Sequence, residues 1–144
     1  SRTVSSAEFF LDTFTTALEP GEIVAEIIVP VEAGLTGTAY KKFVQRASGF
    51  ALVGIAARVR REAGKITLIR VGVTGLSGFS YRAHNVEAAL AGQEGSEEQI
   101  RAAAALIGDG IEAGADLHAS ADYRKVLAAS YGARALRLAL SRSA

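Results

Sequence analysis

Apolar and polar residues along this chain follow different rhythms, and the changes of rhythm mark its elements. From Ala51 to Arg61, Val53, Ile55, Ala57 and Val59 alternate with Arg58 and Arg60, the period-two pattern of a strand with one face in a core. Lys65 to Thr74 reads as a second strand, joined to the first by the short glycine-containing connection EAGK, and Thr38 to Arg46 as a third. Together they predict an antiparallel meander. Within Lys65 to Thr74 the apolar set shifts from Ile66 and Leu68 to Val71 and Val73, which predicts a bulge near Ile69 and Arg70.

Downstream the period becomes helical. Val86, Ala89 and Leu90 mark one segment, and Ile100, Ala103, Ala104, Ile107 and Ile111 a second that opens on the capping box Ser96-x-x-Gln99. Ser120 is the expected N-cap of the longest helix, running to about Leu140, with a face of Tyr123, Val126, Leu127, Ser130 or Tyr131, Arg134 and Leu138.

Upstream, Ser5-x-x-Glu8 before Phe9, Phe10 and Phe14 predicts a short helix with an aromatic face. After the turn signal Glu19-Pro20-Gly21, the run EIVAEIIVP predicts a strand over residues 22–29, with Ile23, Ala25, Ile27 and Val29 on one face and Pro30 ending it. Two glycines in VEAGLTG suggest a boundary near residues 31 to 37, dividing the chain into 1–30 and 31–144. Strands followed by helices define an α+β fold. The expectation is a three- to four-stranded antiparallel sheet, about three helices on one face, and a short helix-strand piece in front.

Composition narrows the chemistry. Sixteen Lys+Arg against fifteen Asp+Glu, spread along the chain, leave no linear basic stripe, so nucleic acid is not an expected partner. The lack of cysteine removes disulfides, thiolate nucleophiles and iron–sulfur ligation from this chain. No apolar run approaches the roughly 20 residues that span a bilayer, and a cytoplasmic location is the expectation.

Most motifs have structural readings. Gly72, Gly75 and Gly78 are spaced G-x-x-G-x-x-G rather than as a dinucleotide loop, and are read as relieving a crowded strand exit. His84 and His118 do not form a ligand pair on one helix, so no metal site is expected, and no G-x-S-x-G elbow exposes a nucleophile. Glu97 and Glu98, and Glu112 with Asp122, suit helix first turns or solvated faces. No catalytic residue is assigned. The exception is Thr38 to Arg46, whose period of two places Tyr40, Lys42, Val44 and Arg46 on one face and Lys41, Phe43 and Gln45 on the other. An aromatic ring and an ammonium side by side could cover an electron-rich planar ligand or simply face solvent.

The blocks AYKKFVQRASGFALVGIAARV, GKITLIRVGVTGLSGFSYRAHNVEAALAG and ASADYRKVLAASYGARAL resemble the C-terminal part of the FAD-binding medium subunit of molybdenum hydroxylases, the carbon monoxide dehydrogenase and xanthine dehydrogenase family. FFLDTFTTALEPGEIVAEIIVP is similar to the closing segment of that subunit's middle, FAD-binding domain, so residues 1–30 are expected to be its tail and 31–144 the C-terminal domain.

The resemblance implies a complex in which electrons pass from a molybdenum cofactor on a large subunit, through [2Fe-2S] clusters on a small subunit, to FAD on the medium subunit. This chain would cover the flavin, dock those two subunits, and join the N-terminal FAD-binding portion of its own subunit. The family cradles the FAD pyrophosphate with two double-glycine loops, and this sequence has no Gly-Gly pair, so it is expected to be one piece of a longer subunit with an incomplete FAD site. The implied flavin-contacting residues are Tyr40 and Lys42, with Lys41 nearer the position used by xanthine-oxidising relatives; the shared face with Tyr40 favours Lys42. Gly49-Phe50 departs from the Asp-Ile or Asp-Trp pair common in the family, and Asp122, Tyr123 and Arg124 fall in its A-S-x-x-Y-R block, with a structural role expected. A stand-alone interaction or oligomerisation module that does not bind FAD is the alternative, and a small-molecule binding protein using the Tyr40 and Lys42 face a third.

Overall fold

The computed structural model describes residues 1–31 and 34–143. A sheet of four antiparallel strands, in the order β3-β4-β5-β6, carries helices on one face: β3 (Gly37–Val44), β4 (Ala51–Glu62), β5 (Lys65–Thr74), β6 (Tyr81–Arg82), α2 (His84–Leu90), α3 (Glu97–Ala105) and α4 (Ala121–Ser141). One 3-10 turn, Leu106–Gly108, follows α3. The expected α+β meander is the observed one, with β6 as its short fourth strand.

The β4 alternation holds. Val53, Ile55, Ala57 and Val59 are buried beneath the helices, joined from β5 by Val71 and Val73 and from the helices by Val86, Leu90, Ile100 and Leu136. Fully burying each large member contributes about 1.5–3 kcal/mol. In β5 the irregularity lies earlier than the sequence pattern suggests. Arg60 pairs with Leu68 and Arg61 with Ile66, so Thr67 is the extra residue; Ile66 and Ile69 share the buried face while Leu68 turns to the open side.

Of the helices, α4 lies across β3 and β4, α2 over β5, and α3 packs between α2 and α4. Ser96 and Gln99 form the expected reciprocal capping box, and the Ser120 hydroxyl accepts from Tyr123 N. The phase of α4 differs from the expected one. Its buried residues are Arg124, Leu127, Ala128, Gly132, Ala135, Leu136, Ala139 and Leu140, whereas Tyr123, Val126 and Ser130 are exposed. Ala128, Ala135 and Ala139 let the helix pack closely beside Leu127, Leu136 and Leu140, and Gly132 leaves room for Ile107 of the 3-10 turn. In α2 the buried Glu87 accepts from Val71 N and Arg82, tying the helix to β5 and β6, while Ala89 is exposed.

Glu97 joins α3 to α4, accepting from Arg137 and from Arg101. Those bonds, Arg137 foremost, hold its carboxyl down from 4.5 to about 2. Because the folded value is lowered, the contribution is complete above about 4.5 and is lost as pH falls toward 2. Glu97→Gln is expected to flatten the acid limb of stability over that window while moving the neutral-pH unfolding midpoint only slightly, since the group is exposed; a pH series of urea midpoints checks this.

The expected short helix-strand piece stands in front of the sheet, though its details differ from the sequence pattern. Its helix is the single turn α1 (Ser6–Phe9), after which the chain enters a small hairpin, β1 (Phe10–Asp12) with β2 (Thr15–Thr16). Ser5 does not cap the turn through its side chain; its hydroxyl donates to the Glu8 carboxylate. Phe14 sits at the hairpin tip with φ +53°, fully exposed, so no aromatic helical face forms. The strand expected over 22–29 is not formed: the segment carries no ladder, and Ile23, Val24, Ile27, Ile28 and Val29 are exposed. A lone extended segment lacks the partner strand that satisfies its backbone. The boundary expected at 31–37 includes residues 32 and 33, which lie outside the described residues.

Candidate functional site

The open face of the sheet, opposite the helices, is set by β3 and its register with β4. Lys42 stands opposite Gly54, Tyr40 opposite Ala56 and Thr38 opposite Arg58; across β5, Gly54, Ala56 and Arg58 meet Thr74, Gly72 and Arg70. Small residues at the centre leave bare backbone there. The Tyr40 ring fills that space: a Cβ on Gly54 would fall 2.4 Å from its hydroxyl. The glycine therefore makes room for the phenol tip on the neighbouring strand, with Tyr40 left half-exposed. Beside it a shallow groove of about 420 Å³ runs between Tyr40, Arg58 and Arg70 over a floor of Ala56 and Gly72. A linear scan of charge misses this meeting of Arg58 and Arg70, since β4 and β5 each contribute one of them.

Lys42 reaches over the β3–β4 turn, its Nζ donating to Gly49 O at 3.0 Å. An ammonium has three donors, so two remain for a ligand or water. The turn is closed by Gln45 N to Phe50 O, Gly49 N to Gln45 O, and the Gln45 amide oxygen accepting from Ser48. Phe50 projects from it, exposed. Lys41 lies on the opposite face, half-buried and opposite Ile55. The structure thus brings Tyr40 and Lys42 together on one accessible face and separates Lys41 from them.

Sequence reasoning missed Arg124, read only as part of a structural block. Its NH1 donates to Leu52 O and Gly75 O, both at 2.7 Å, and NH2 to Asp116 at 2.6 Å, from a buried position. Asp116 also accepts from His118 N and Ala119 N, and these bonds, His118's foremost, hold its carboxyl below the usual range. Gly75, at φ +78°, answers the expected crowding at the strand exit, since a Cβ there would lie 2.6 Å from Leu52 O. Gly72 has space.

Among the described residues no group of His, Cys, Asp and Glu is placed to hold a metal ion, and no helix is long and apolar enough to cross a membrane. His84 lies at the start of α2, its Nδ1 3.6 Å from Glu87, and His118 lies in the loop before α4.

Residues 38–139 match the family model of the CO dehydrogenase flavoprotein C-terminal domain, and the chain belongs to that family. It is similar to the carbon monoxide dehydrogenase medium chain of Hydrogenophaga pseudoflava, 34% identical over 99% of this chain and 50% of that protein. It is also similar to the glyceraldehyde dehydrogenase medium chain of Sulfolobus acidocaldarius, 32% identical over 87% of this chain and 44% of the relative. The solved carbon monoxide dehydrogenase of H. pseudoflava superposes with a TM-score of 0.90 at 36% identity, over 95% of this chain and 48% of that one. The chain spans about half the length of the relatives it matches.

Proposed function

We propose that this chain forms one wall of the FAD site in the medium subunit of a molybdenum-dependent hydroxylase or carbon monoxide dehydrogenase-like complex. Residues 31–144 are its C-terminal domain and 1–30 the tail of the FAD-binding domain. The observation that carries the reading is the Tyr40 and Lys42 face, with the phenol tip seated over Gly54 and an ammonium with donors to spare, inside the segment that matches the flavoprotein family.

These residues fit one part of FAD and not another. Tyr40 offers an apolar plane and Lys42 a positive charge suited to the ring and its carbonyl edge, whereas no glycine pair is present to bring backbone amides to a diphosphate. Bound FAD would supply the electron-accepting ring. Lys42 would hold positive charge toward the carbonyl edge of the ring, favouring its reduced, more negative form, and Lys41 stands on the far face. The remaining FAD-binding portion of the subunit supplies the diphosphate site and covers the apolar N-terminal arm. A large molybdenum subunit and a small subunit with [2Fe-2S] clusters deliver electrons, docked in part by this domain.

Lys42→Ala in the FAD-loaded complex is expected to lower the flavin midpoint potential by tens of millivolts, about 30 mV for each ~1.4 kcal/mol of lost charge stabilisation in a two-electron couple. Thr38→Ala, on the same face, should leave it unchanged. A spectroelectrochemical titration reads both. Unchanged potential and FAD content in the lysine variant would remove Lys42 from the site.

A further inference from the structure

We infer that Arg124 is a positioning residue that holds the β3–β4 turn, and with it Lys42, in place from the buried side of the sheet; this rests on the reading of Lys42 given above. Three observations converge on it. First, the β3–β4 ladder is irregular just below the turn. Phe43 pairs with Val53 and Val44 with Ala51, which leaves Leu52 as an extra, unopposed residue. A bulge of this kind aims its carbonyl away from the ladder, and such a group inside a protein needs another partner. Arg124 is that partner, donating to Leu52 O at 2.7 Å.

Second, the same guanidinium binds Gly75 O, where β5 leaves the sheet, and Asp116, in the loop leading to α4. One planar fork therefore fixes the bulge against the strand exit and the loop at once. A lysine, with its donors on one nitrogen, cannot span those directions.

Third, the neighbouring residues of α4 grip the other strand of the hairpin. Phe43 meets the rings of Tyr123 and Tyr131 edge-on, at 6.2 and 5.8 Å. Both strands that carry the turn are thus held by the N-terminal half of α4, Phe43 by aromatic contacts and Leu52 by Arg124. From Leu52 the chain runs through Ala51 and Phe50 to Gly49, whose carbonyl accepts from Lys42. Any slip of the bulge moves that acceptor and the ammonium with it.

The test pairs Arg124→Lys with Asp116→Asn, which removes a charge from the outer edge of the cluster without leaving a buried cation-sized cavity. In the 144-residue chain, amide hydrogen exchange at Gln45 and Gly49 is expected to quicken at least about tenfold in Arg124→Lys relative to amides at the centre of β4 and β5, and less in Asp116→Asn. A purely global loss of stability would quicken the turn and the sheet centre alike, and that result overturns the inference.

In the FAD-loaded complex, Arg124→Lys is expected to shift the flavin potential in the same direction as Lys42→Ala. The double variant should shift it no further than Lys42→Ala alone, because both act through one ammonium. If Lys42→Ala shifts the potential and Arg124→Lys does not, or if their effects add, the positioning role fails while the flavin-wall reading stands. If Lys42→Ala has no effect, both fail. Should Arg124→Lys not fold, Asp116→Asn carries the same comparison, with the same outcomes deciding it.

Discussion

Replacing Gly37 by valine is expected to destabilise the chain by about 3 kcal/mol or more, among the larger effects a single core substitution produces. Gly37 opens β3 beneath the last turn of α4, and a Cβ there would fall 1.9 Å from Ala139 O and 2.6 Å from Ser143 N. Both are backbone atoms, so no side-chain rotation relieves the overlap. Either α4 lifts from the sheet, opening the layer that buries Ala135, Leu136 and Ala139, or β3 slides and loses its pairing with Val59. Arg142, which donates to Thr38 O at this junction, would be displaced as well. Urea unfolding with circular dichroism measures the effect. Gly72→Ala provides the contrast: its Cβ would meet only Ala56 Cβ at 3.9 Å, so the midpoint should move by no more than about 0.5 kcal/mol.

The contrast between these glycines shows what the sequence could and could not disclose. Three glycines in a row of strand-exit positions look alike on paper, and the crowding belongs to Gly75 and Gly78 rather than Gly72, because it depends on what the fold brings to each from elsewhere. The sheet was legible because each strand repeats its own environment: Val53, Ile55, Ala57 and Val59 state the buried face of β4 without help from any other element. The capping box of α3 is equally local, since Ser96 and Gln99 satisfy each other.

Long-range features were not legible. Arg124 points inward because a bulge at Leu52 and a turn at Gly75 leave carbonyls facing α4, and nothing near residue 124 in the chain announces that need. In α4 the spacing of the larger residues points to a face with Tyr123, Val126 and Arg134, whereas the buried side combines Ala128, Ala135 and Ala139 with Leu127, Leu136 and Leu140 and seats Gly132 against Ile107. At the candidate site, strand parity alone separated Tyr40 and Lys42 from Lys41. The seat of the Tyr40 hydroxyl over Gly54 needed the register of two strands, and so did the opposed pair Arg58 and Arg70.

The second large effect concerns the segment 22–29. Its pattern is that of a strand with Ile23, Ala25, Ile27 and Val29 on one face, and yet here Ile23, Ile27 and Val29 are 84%, 83% and 76% exposed. A run this apolar is stable in water only at the cost of contact with it, and apolar burial returns about 1.5–3 kcal/mol for each such side chain. Under the proposed function the segment pairs into the FAD-binding portion of the subunit, and three buried residues would then contribute about 5–9 kcal/mol to holding the two portions together. Changing all three to serine is therefore expected to leave the unfolding midpoint of this chain within about 0.5 kcal/mol of the parent, because the residues touch little in it. The same change should weaken association with the FAD-binding portion, supplied as a separate polypeptide, by more than about a thousandfold, at about 1.4 kcal/mol per tenfold. Sedimentation of the mixture and FAD retention in the complex read the second effect. An unaltered affinity would mean that the arm does not seat in that portion, and a lowered midpoint in the isolated chain would mean that it already packs on its own domain.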